Sequence, residues 1–325
     1  MSGQEADPAR FAAALEQAAG GPVERLALAV SGGSDSMALL LLAHAAMPAR
    51  ISAATVDHRL RVGSEKDGTL VAATCAELGV PHVVLVPEAP IAGASLQAQA
   101  REARYALLTG WARGAGADCL ATAHQADDQA ETFLMRAARG SGLSGLAGIR
   151  ARNVIHGFPV IRPLLEWRRA ELRAIVRRAG AGFVDDPANA DFRHDRTRFR
   201  ALLEREEWLG AANLAASAAH LAEADADVRA MTDWLWGERS ELAEDECRVT
   251  VDGLPRELRR RLVRRAIADV RALAAIETPA WSEAAGIEPL LDALEAGRGA
   301  TRGGVQGSVR GGQWRFRAAP PRRAG

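Results

Sequence analysis

The stretch LALAVSGGSDSMALLLLAHAA, residues 26–46, decides the fold. Leu26–Val30 is a short apolar run with the length of a buried strand. The turn Ser31–Ser36 follows, and an Ala/Leu-rich segment over about 34 to 46 reads as a helix. Backbone N–H groups at such a turn form an anion nest, and the following helix adds the positive end of its dipole. Gly32 and Gly33 allow close backbone approach to a ligand, and Ser31, Ser34 and Ser36 offer hydroxyl donors for phosphate. Asp35 does not fit a bare phosphate cradle, because a carboxylate repels phosphate unless a cation lies between. The economical reading makes Asp35 a magnesium ligand. The alternative is a plain helix start with Ser34 as N-cap. Neither GxxxxGK[ST] nor GxGxxG occurs at this turn.

Working outward, residues 51–56 (ISAATV), 82–86 (HVVLV) and 118–122 (DCLAT) repeat the short apolar pattern. Helical stretches separate them at about 34–46, 64–79, 95–114 and 126–139, with Gly79 a helix stop before Val80-Pro81. Strand–helix alternation predicts an α/β fold, a doubly wound and mainly parallel sheet of Rossmann-like type. Its ligand crevice lies at the carboxyl ends of the strands, where SGGSDS, VDHR (56–59) and TAHQADD (122–128) all fall. RGSGLSGLAGIR, 139–150, reads as a loop, FPVIRPLL, 158–165, as a further strand, and 166–179 and 191–206 as helices. From Leu209 long helices predominate. We therefore expect a catalytic domain over 1–208 and a helical domain over 209–325, divided near Trp208-Leu209-Gly210. The closing TRGGVQGSVRGGQWRFRAAPPRRAG is Gly- and Arg-rich and reads as a short hairpin before a frayed tail.

A second cluster is ATAHQADDQAET, 121–132, where His124, Asp127, Asp128 and Glu131 follow at i, i+3, i+4 and i+7, one face of a helix. Carboxylates crowded on one face repel unless they bind a cation or are well solvated. A solvated helix start favoured by the dipole is the bland reading. Asp57 and His58 end a strand. Arg101, Arg104 and Tyr105 lie on the helix SLQAQAREARYALL, 95–108, which alone reads as amphipathic with exposed arginines. In DDPANADFRHDRTRFR, 185–200, Pro187 and Asn189 make a turn and Arg193, Arg196 and Arg200 form a basic stripe.

Composition narrows the class. The 325 residues are 48% hydrophobic and 25% charged, an ordinary soluble composition. No apolar run is long enough to span a bilayer, and the N-terminus lacks a secretory pattern, so a cytoplasmic protein without membrane association is expected. Cys75, Cys119 and Cys247 are far apart and form no CxxC, which disfavours zinc or iron–sulfur sites and suggests buried thiols. The formal net charge is zero, so no global attraction to nucleic acid follows, yet residues 162–205 hold eleven arginines against seven acids. Lys66 is the single lysine; arginine suits phosphate through its planar fork.

SGGSDS matches the PP-loop signature SGGxDS of the ATP pyrophosphatases, which adenylate a substrate and expel pyrophosphate. Together with VDHRLR, QxxAREARY, LATAHQADDQAET, RGSGLSGLAGI, RPLL and DPANADFRHDRTRFR, in that order over about 20–205, the chain resembles the tRNA(Ile)-lysidine synthetase family of bacteria. TRGGV near the end is similar to a TLGG stretch of the family, with Arg302 in place of leucine, and the chain is shorter than members with additional C-terminal domains. The resemblance implies ATP as cosubstrate, magnesium, free lysine, and a tRNA(Ile) whose anticodon is CAU. The 2-carbonyl oxygen of the wobble cytosine is adenylated, and the lysine amine then displaces AMP to form lysidine. It also implies that Ser31, Gly32, Gly33, Ser34, Asp35 and Ser36 bind ATP, and that Asp35 with Asp127 or Asp128 holds magnesium. The same carboxylates would attract lysine or take its proton, His124 would orient reacting groups, and Arg196 would meet phosphate or transition-state charge. Arg101, Arg104, Arg193 and Arg200 are assigned to tRNA, and a homodimer is compatible with the resemblance.

Three alternatives are set against this. A PP-loop tRNA thiolase needs a sulfur carrier or cluster, typically with a CxxC. An amidotransferase-type ligase needs an ammonia source, and 325 residues leave no glutaminase domain. A nucleotide- or RNA-binding module without catalysis would have no reason to keep Asp35, Asp127 and Asp128.

Overall fold

Short buried strands alternating with amphipathic helices produce the expected doubly wound sheet. The computed structural model describes residues 3–58, 65–88, 96–184, 195–206, 208–282 and 285–320. The chain divides into two compact units, Met1–Ala222 and Glu223–Gly325.

In the first unit the elements run α1 (Gly3–Ala19), β1 (Leu26–Ala29), α2 (Ser34–Ala46), β2 (Ile51–Val56), α3 (Glu65–Leu78), β3 (His82–Leu85), α4 (Leu96–Gly114), β4 (Cys119–Ala121) and α5 (Ala126–Ala138). Then come α6 (Leu143–Leu146), β5 (Arg152–Ile155), β6 (Phe158–Ile161), α7 (Arg169–Arg178) and α8 (Asp195–Arg205). A long helix, α9 (Ala211–Arg239), contains the division between the units.

The strand order is β3-β2-β1-β4-β6-β5. All neighbours pair in parallel except β5 with β6, an antiparallel edge hairpin. Its turn, His156-Gly157, puts both residues at positive φ (49° and 68°), the geometry of a tight two-residue hairpin. Sequence order reverses between β1 and β4. The crevice outside these two strands is the place where doubly wound sheets bind ligands. The two faces of the sheet are buried separately, as side-chain alternation demands. Leu26 and Leu28 join Phe11, Met37, Leu40 and Trp167 on one side; Ala27 and Leu120 join Tyr105, Leu108 and Phe158 on the other. Gly79 closes α3 at φ 66°, with Val80 N donating to Cys75 O at 2.8 Å.

The second unit contains α10 (Arg256–Leu273) and α11 (Glu288–Glu295), together with β7 (Ser240–Leu242), β8 (Glu246–Thr250), β9 (Ala300–Arg302), β10 (Val305–Arg310) and β11 (Gln313–Ala318). The helical content expected after Leu209 is present. In addition, a five-stranded antiparallel sheet, order β7-β8-β11-β10-β9, replaces the single hairpin expected at the end. Each Gly-Gly pair of the basic segment is a two-residue turn at positive φ: Gly303-Gly304 joins β9 to β10, and Gly311-Gly312 joins β10 to β11. Leu262, Ile267, Leu291 and Leu294 of the helices pack on Cys247, Val249, Trp314 and Phe316 of the sheet. Among the described residues no helix is long and apolar enough to cross a membrane.

Candidate active site

The Gly/Ser turn sits where β1 ends, at the strand-order reversal. Gly32 has φ 84°, a left-handed conformation that glycine adopts without strain. A Cβ there would meet the Asp67 backbone carbonyl at 3.4 Å. Gly33, not Ser34, is the N-cap of α2, and it makes no side-chain cap, so the capped-start alternative with Ser34 does not hold. The first backbone N–H groups of a helix have no intrahelical acceptor, which leaves this start open to an anion. Ser36 shapes the turn: its Oγ donates to Gly33 O at 2.9 Å and accepts from Ser31 N at 3.1 Å. Ser31 Oγ lies 3.2 Å from Ser36 Oγ, and Gly32 O accepts from Val184 N at 2.9 Å. Ser34 Oγ is 3.4 Å from Asp35 Oδ1.

The second wall is the start of α5, one strand over. The helix begins at Ala126, so His124 precedes it and does not share its face as the spacing suggested. Gln125 is the fully buried N-cap. Its Oε1 accepts from Asp127 N at 2.5 Å and Asp128 N at 3.3 Å, while Asp128 Oδ2 accepts from Gln125 N at 3.3 Å. Gln125 Nε2 reaches Asp35 Oδ2 at 3.5 Å. This cap therefore brings Asp35 and Asp128 together across the two helix starts. Burial first, then the neighbouring Asp128 charge, pushes the Asp35 carboxyl up to about 6. Burial also raises Asp128, against the pull of Arg196.

Asp127, adjacent in sequence, goes elsewhere, because consecutive helical residues do not share a face. Arg168 grips it with two bonds, Nε–Oδ2 at 3.1 Å and Nη2–Oδ1 at 3.0 Å, and Arg169 N donates to Oδ2 at 2.8 Å. Burial would raise its pKa, but these bonds hold it below the usual carboxylate range. The expected grouping of Asp127 with Asp35 as a magnesium ligand thus gives way to a clasp between α5 and the start of α7.

Glu131 is the centre of an arginine cluster. Its side chain is only 1% exposed and accepts from Arg196 Nε at 2.7 Å, Arg200 Nε at 2.8 Å and Arg169 Nη2 at 3.1 Å. Arg196 also bonds Asp128 Oδ1 through Nη2 at 2.8 Å. Burial would raise Glu131, yet the Arg200 and Arg196 hydrogen bonds keep it low. Sequence spacing placed Glu131 on the right face without marking it as a hub. Arg168 and Arg169, in an ordinary-looking helix start, carried no signal of their own. Arg193 lies outside the described residues.

His124 stands beside this cluster, with Nδ1 2.9 Å from Thr122 Oγ1. Burial and then Arg162, Arg196, Arg101 and Arg104 drive its pKa down to about 3, so it is neutral at physiological pH. Arg101 and Arg104 lie over the Tyr105 ring, at 4.9 and 5.5 Å. The three cysteines are buried, and burial pushes Cys75 up to about 11 and Cys119 and Cys247 to about 12. None is a poised thiolate. Among the described residues no cluster of three metal-ligating side chains forms; the candidate is the Asp35–Asp128 pair.

A doubly wound sheet with a Gly/Ser/Asp turn at its strand-order reversal defines the PP-loop class, and residues 7–207 match the family model described as a PP-loop domain. Over nearly the whole length the similarity is narrower. A tRNA(Ile)-lysidine synthase of Novosphingobium aromaticivorans is 42% identical over 93% of this chain and 91% of its own. One from Zymomonas mobilis is 40% identical over 92% and 90%. The chain belongs to the tRNA(Ile)-lysidine synthase family. A solved U34-tRNA thiolase from Methanococcus maripaludis, with its 4Fe-4S cluster, has a TM-score of 0.55 at 16% identity over 67% of this chain and 78% of its own. At that distance the likeness is one of fold alone.

Proposed function

We propose that this chain is an ATP-dependent ligase that joins free lysine to C2 of the wobble cytidine of a tRNA(Ile) with anticodon CAU. ATP is converted to AMP and pyrophosphate. The observation that carries the reading is the Asp35–Gln125–Asp128 bridge beside an open phosphate turn, with Arg196 bonded to the same Asp128.

Ser31–Ser36 grips the leaving pyrophosphate through the turn and the α2 start. The cytosine 2-carbonyl oxygen attacks the α-phosphorus, forming an O–P bond as the bond to pyrophosphate breaks. The lysine ε-amine then attacks C2 and expels AMP. Asp128 and Asp35 fit a hard divalent cation, since burial first and neighbouring carboxylate charge second raise both, Asp35 to about 6, and both gain from a shared positive charge. Magnesium bound there would screen the phosphate charge. Asp128, also raised, is suited to attract the lysine ammonium or accept its proton. Arg196 offers its guanidinium to phosphate or transition-state charge, and Glu131 sets its orientation. Neutral His124 orients by hydrogen bonding rather than by charge. Asp127 acts through the α7 clasp. Arg101, Arg104, Arg193 and Arg200 serve the tRNA, and cytoplasmic location and a homodimer belong to the same reading. The sulfur-transfer alternative finds no support in three buried thiols.

The test is incubation with ATP, labelled lysine and unmodified tRNA(Ile) bearing CAU. Lysine enters the tRNA with matching AMP release. Absence of incorporation while tRNA binding persists overturns the reading.

A further inference from the structure

Beside the carboxylate pair lies a pocket of about 280 Å³ bounded by Arg101, His124, Arg136, Arg150, Arg162 and Arg196. Among its described lining residues none is acidic. Away from Asp128 and Glu131, backbone carbonyls accept from Arg136 and Arg150. Arg136 Nη1 donates to Gly145 O at 2.7 Å and Gly148 O at 2.9 Å; Arg150 Nη2 donates to Ser144 O at 3.3 Å. The loop that supplies these carbonyls is itself fixed. Gln129 exchanges two bonds with the Ile149 backbone, at 3.0 and 2.6 Å, and a Cβ on Gly148 would collide with the Gln129 side chain. Arg162 is 4% exposed, donates Nη1 to Arg150 O at 2.7 Å, and buries an Nε with no hydrogen-bond partner. A buried guanidinium N–H without an acceptor is uncommon, and an anion in the neighbouring pocket is one group that arginine suits.

We propose that this pocket is a subsite for a phosphodiester group of single-stranded RNA next to the nucleotide that reacts. The inference rests on the RNA-modifying reading above and adds the element that seats the strand. The volume falls just under the roughly 300–1,000 Å³ of small-molecule sites, which suits one charged group on a strand better than a whole nucleoside triphosphate. Arg196 belongs both to this wall and to the Asp128–Glu131 cluster, so a phosphate here sits beside the reacting centre. With His124 neutral, the positive charge of the pocket is arginine alone and does not vary over physiological pH. An unstacked anticodon loop is the form of RNA that can enter such a pocket. The same chemistry would hold free pyrophosphate, and the experiment separates the two.

The affinity of an anticodon stem-loop RNA is measured against salt for the wild-type chain, Arg150→Gln and Arg162→Gln. Duplicate RNAs carry a neutral methylphosphonate on either side of the target cytidine, and pyrophosphate binding is measured by calorimetry. Each variant should weaken RNA binding about 3- to 10-fold and flatten the log–log salt slope by roughly 0.7–1, the share of one phosphate. One methylphosphonate should weaken the wild type and have no further effect on the variants, and pyrophosphate binding should be unchanged. Unchanged slopes in folded Arg150→Gln, with wild-type protein binding RNA and incorporating lysine, overturn the subsite alone. Weakened pyrophosphate binding with additive methylphosphonate effects assigns the pocket to pyrophosphate and also overturns it. Wild-type protein that neither binds the RNA nor incorporates lysine overturns the functional reading and the subsite with it.

Discussion

Arg196 Nε donates to Glu131 Oε2 at 2.7 Å, and that carboxylate is almost wholly buried while the guanidinium is 43% exposed. One glutamate therefore neutralises part of a cluster that also includes Arg169 and Arg200. Glu131→Gln keeps the shape and removes the charge. Leaving buried charge without its partner costs several kcal/mol, discounted here because the arginines reach solvent; about 2–4 kcal/mol is expected. Urea unfolding measures it, and a midpoint within error of wild type would show that the cluster does not hold α8 on α5. The contribution depends on pH: Glu131 is held low, so its stabilisation is present above the unfolded glutamate pKa and is lost as pH falls through the lower folded value.

Asp127 and Asp128 should separate experimentally. Asp127→Asn loses the charge in the Arg168 clasp, with a stability cost of about 1–2 kcal/mol. It should slow pyrophosphate release far less than Asp128→Asn. Comparison of both variants in a pyrophosphate-release assay decides it; equal losses would put Asp127 in the reaction.

Asp35 has a folded pKa near 6, above the value of 3.8 for a free carboxyl. The native state thus binds this proton more tightly than the unfolded chain. The associated stability is full below the unfolded pKa and is lost as pH rises through about 6. Asp35→Asn should match the wild type near pH 4 and exceed it by roughly 1–3 kcal/mol at pH 7–8 in ligand-free, metal-free protein. The same variant should abolish pyrophosphate release. Thermal unfolding at the two pH values, read beside the assay, would refute the assignment if Asn destabilised at pH 7.5.

Gly32→Ala tests the turn. At φ 84° a Cβ costs roughly 1–2 kcal/mol, and its 3.4 Å approach to Asp67 O pushes on the start of α3. The apparent KM for ATP should rise at least about fivefold, a loss near 1 kcal/mol, with RNA affinity unaltered. Parallel titrations with ATP and RNA read the split, and equal effects on both would remove the turn from nucleotide binding.

Much of this architecture is legible in the chain. Leu26–Val30, Ile51–Val56 and the helix starts at Ser34 and Ala126 are local signals, and alternation alone brings SGGSDS and TAHQADD to one edge. The second unit is less legible because most of its strands carry arginines among their apolar residues. Gln313, Arg315 and Arg317 alternate with Trp314 and Phe316, a half-buried strand pattern obscured by the charge of the segment. The hub role of Glu131 and the buried state of Arg162 are illegible in the sequence for another reason. They arise from partners 38 to 69 residues away in one case and from an isolated buried nitrogen in the other. No spacing rule records either.

Gln125 makes the distance between two carboxylates a matter of side-chain length. Its carbonyl end closes a helix while its amide end touches Asp35. Asparagine is a favoured cap and is one methylene shorter. Gln125→Asn would keep a capping side chain and shorten its reach to Asp35, so this glutamine sets the spacing across the crevice in which the proposed cation would sit.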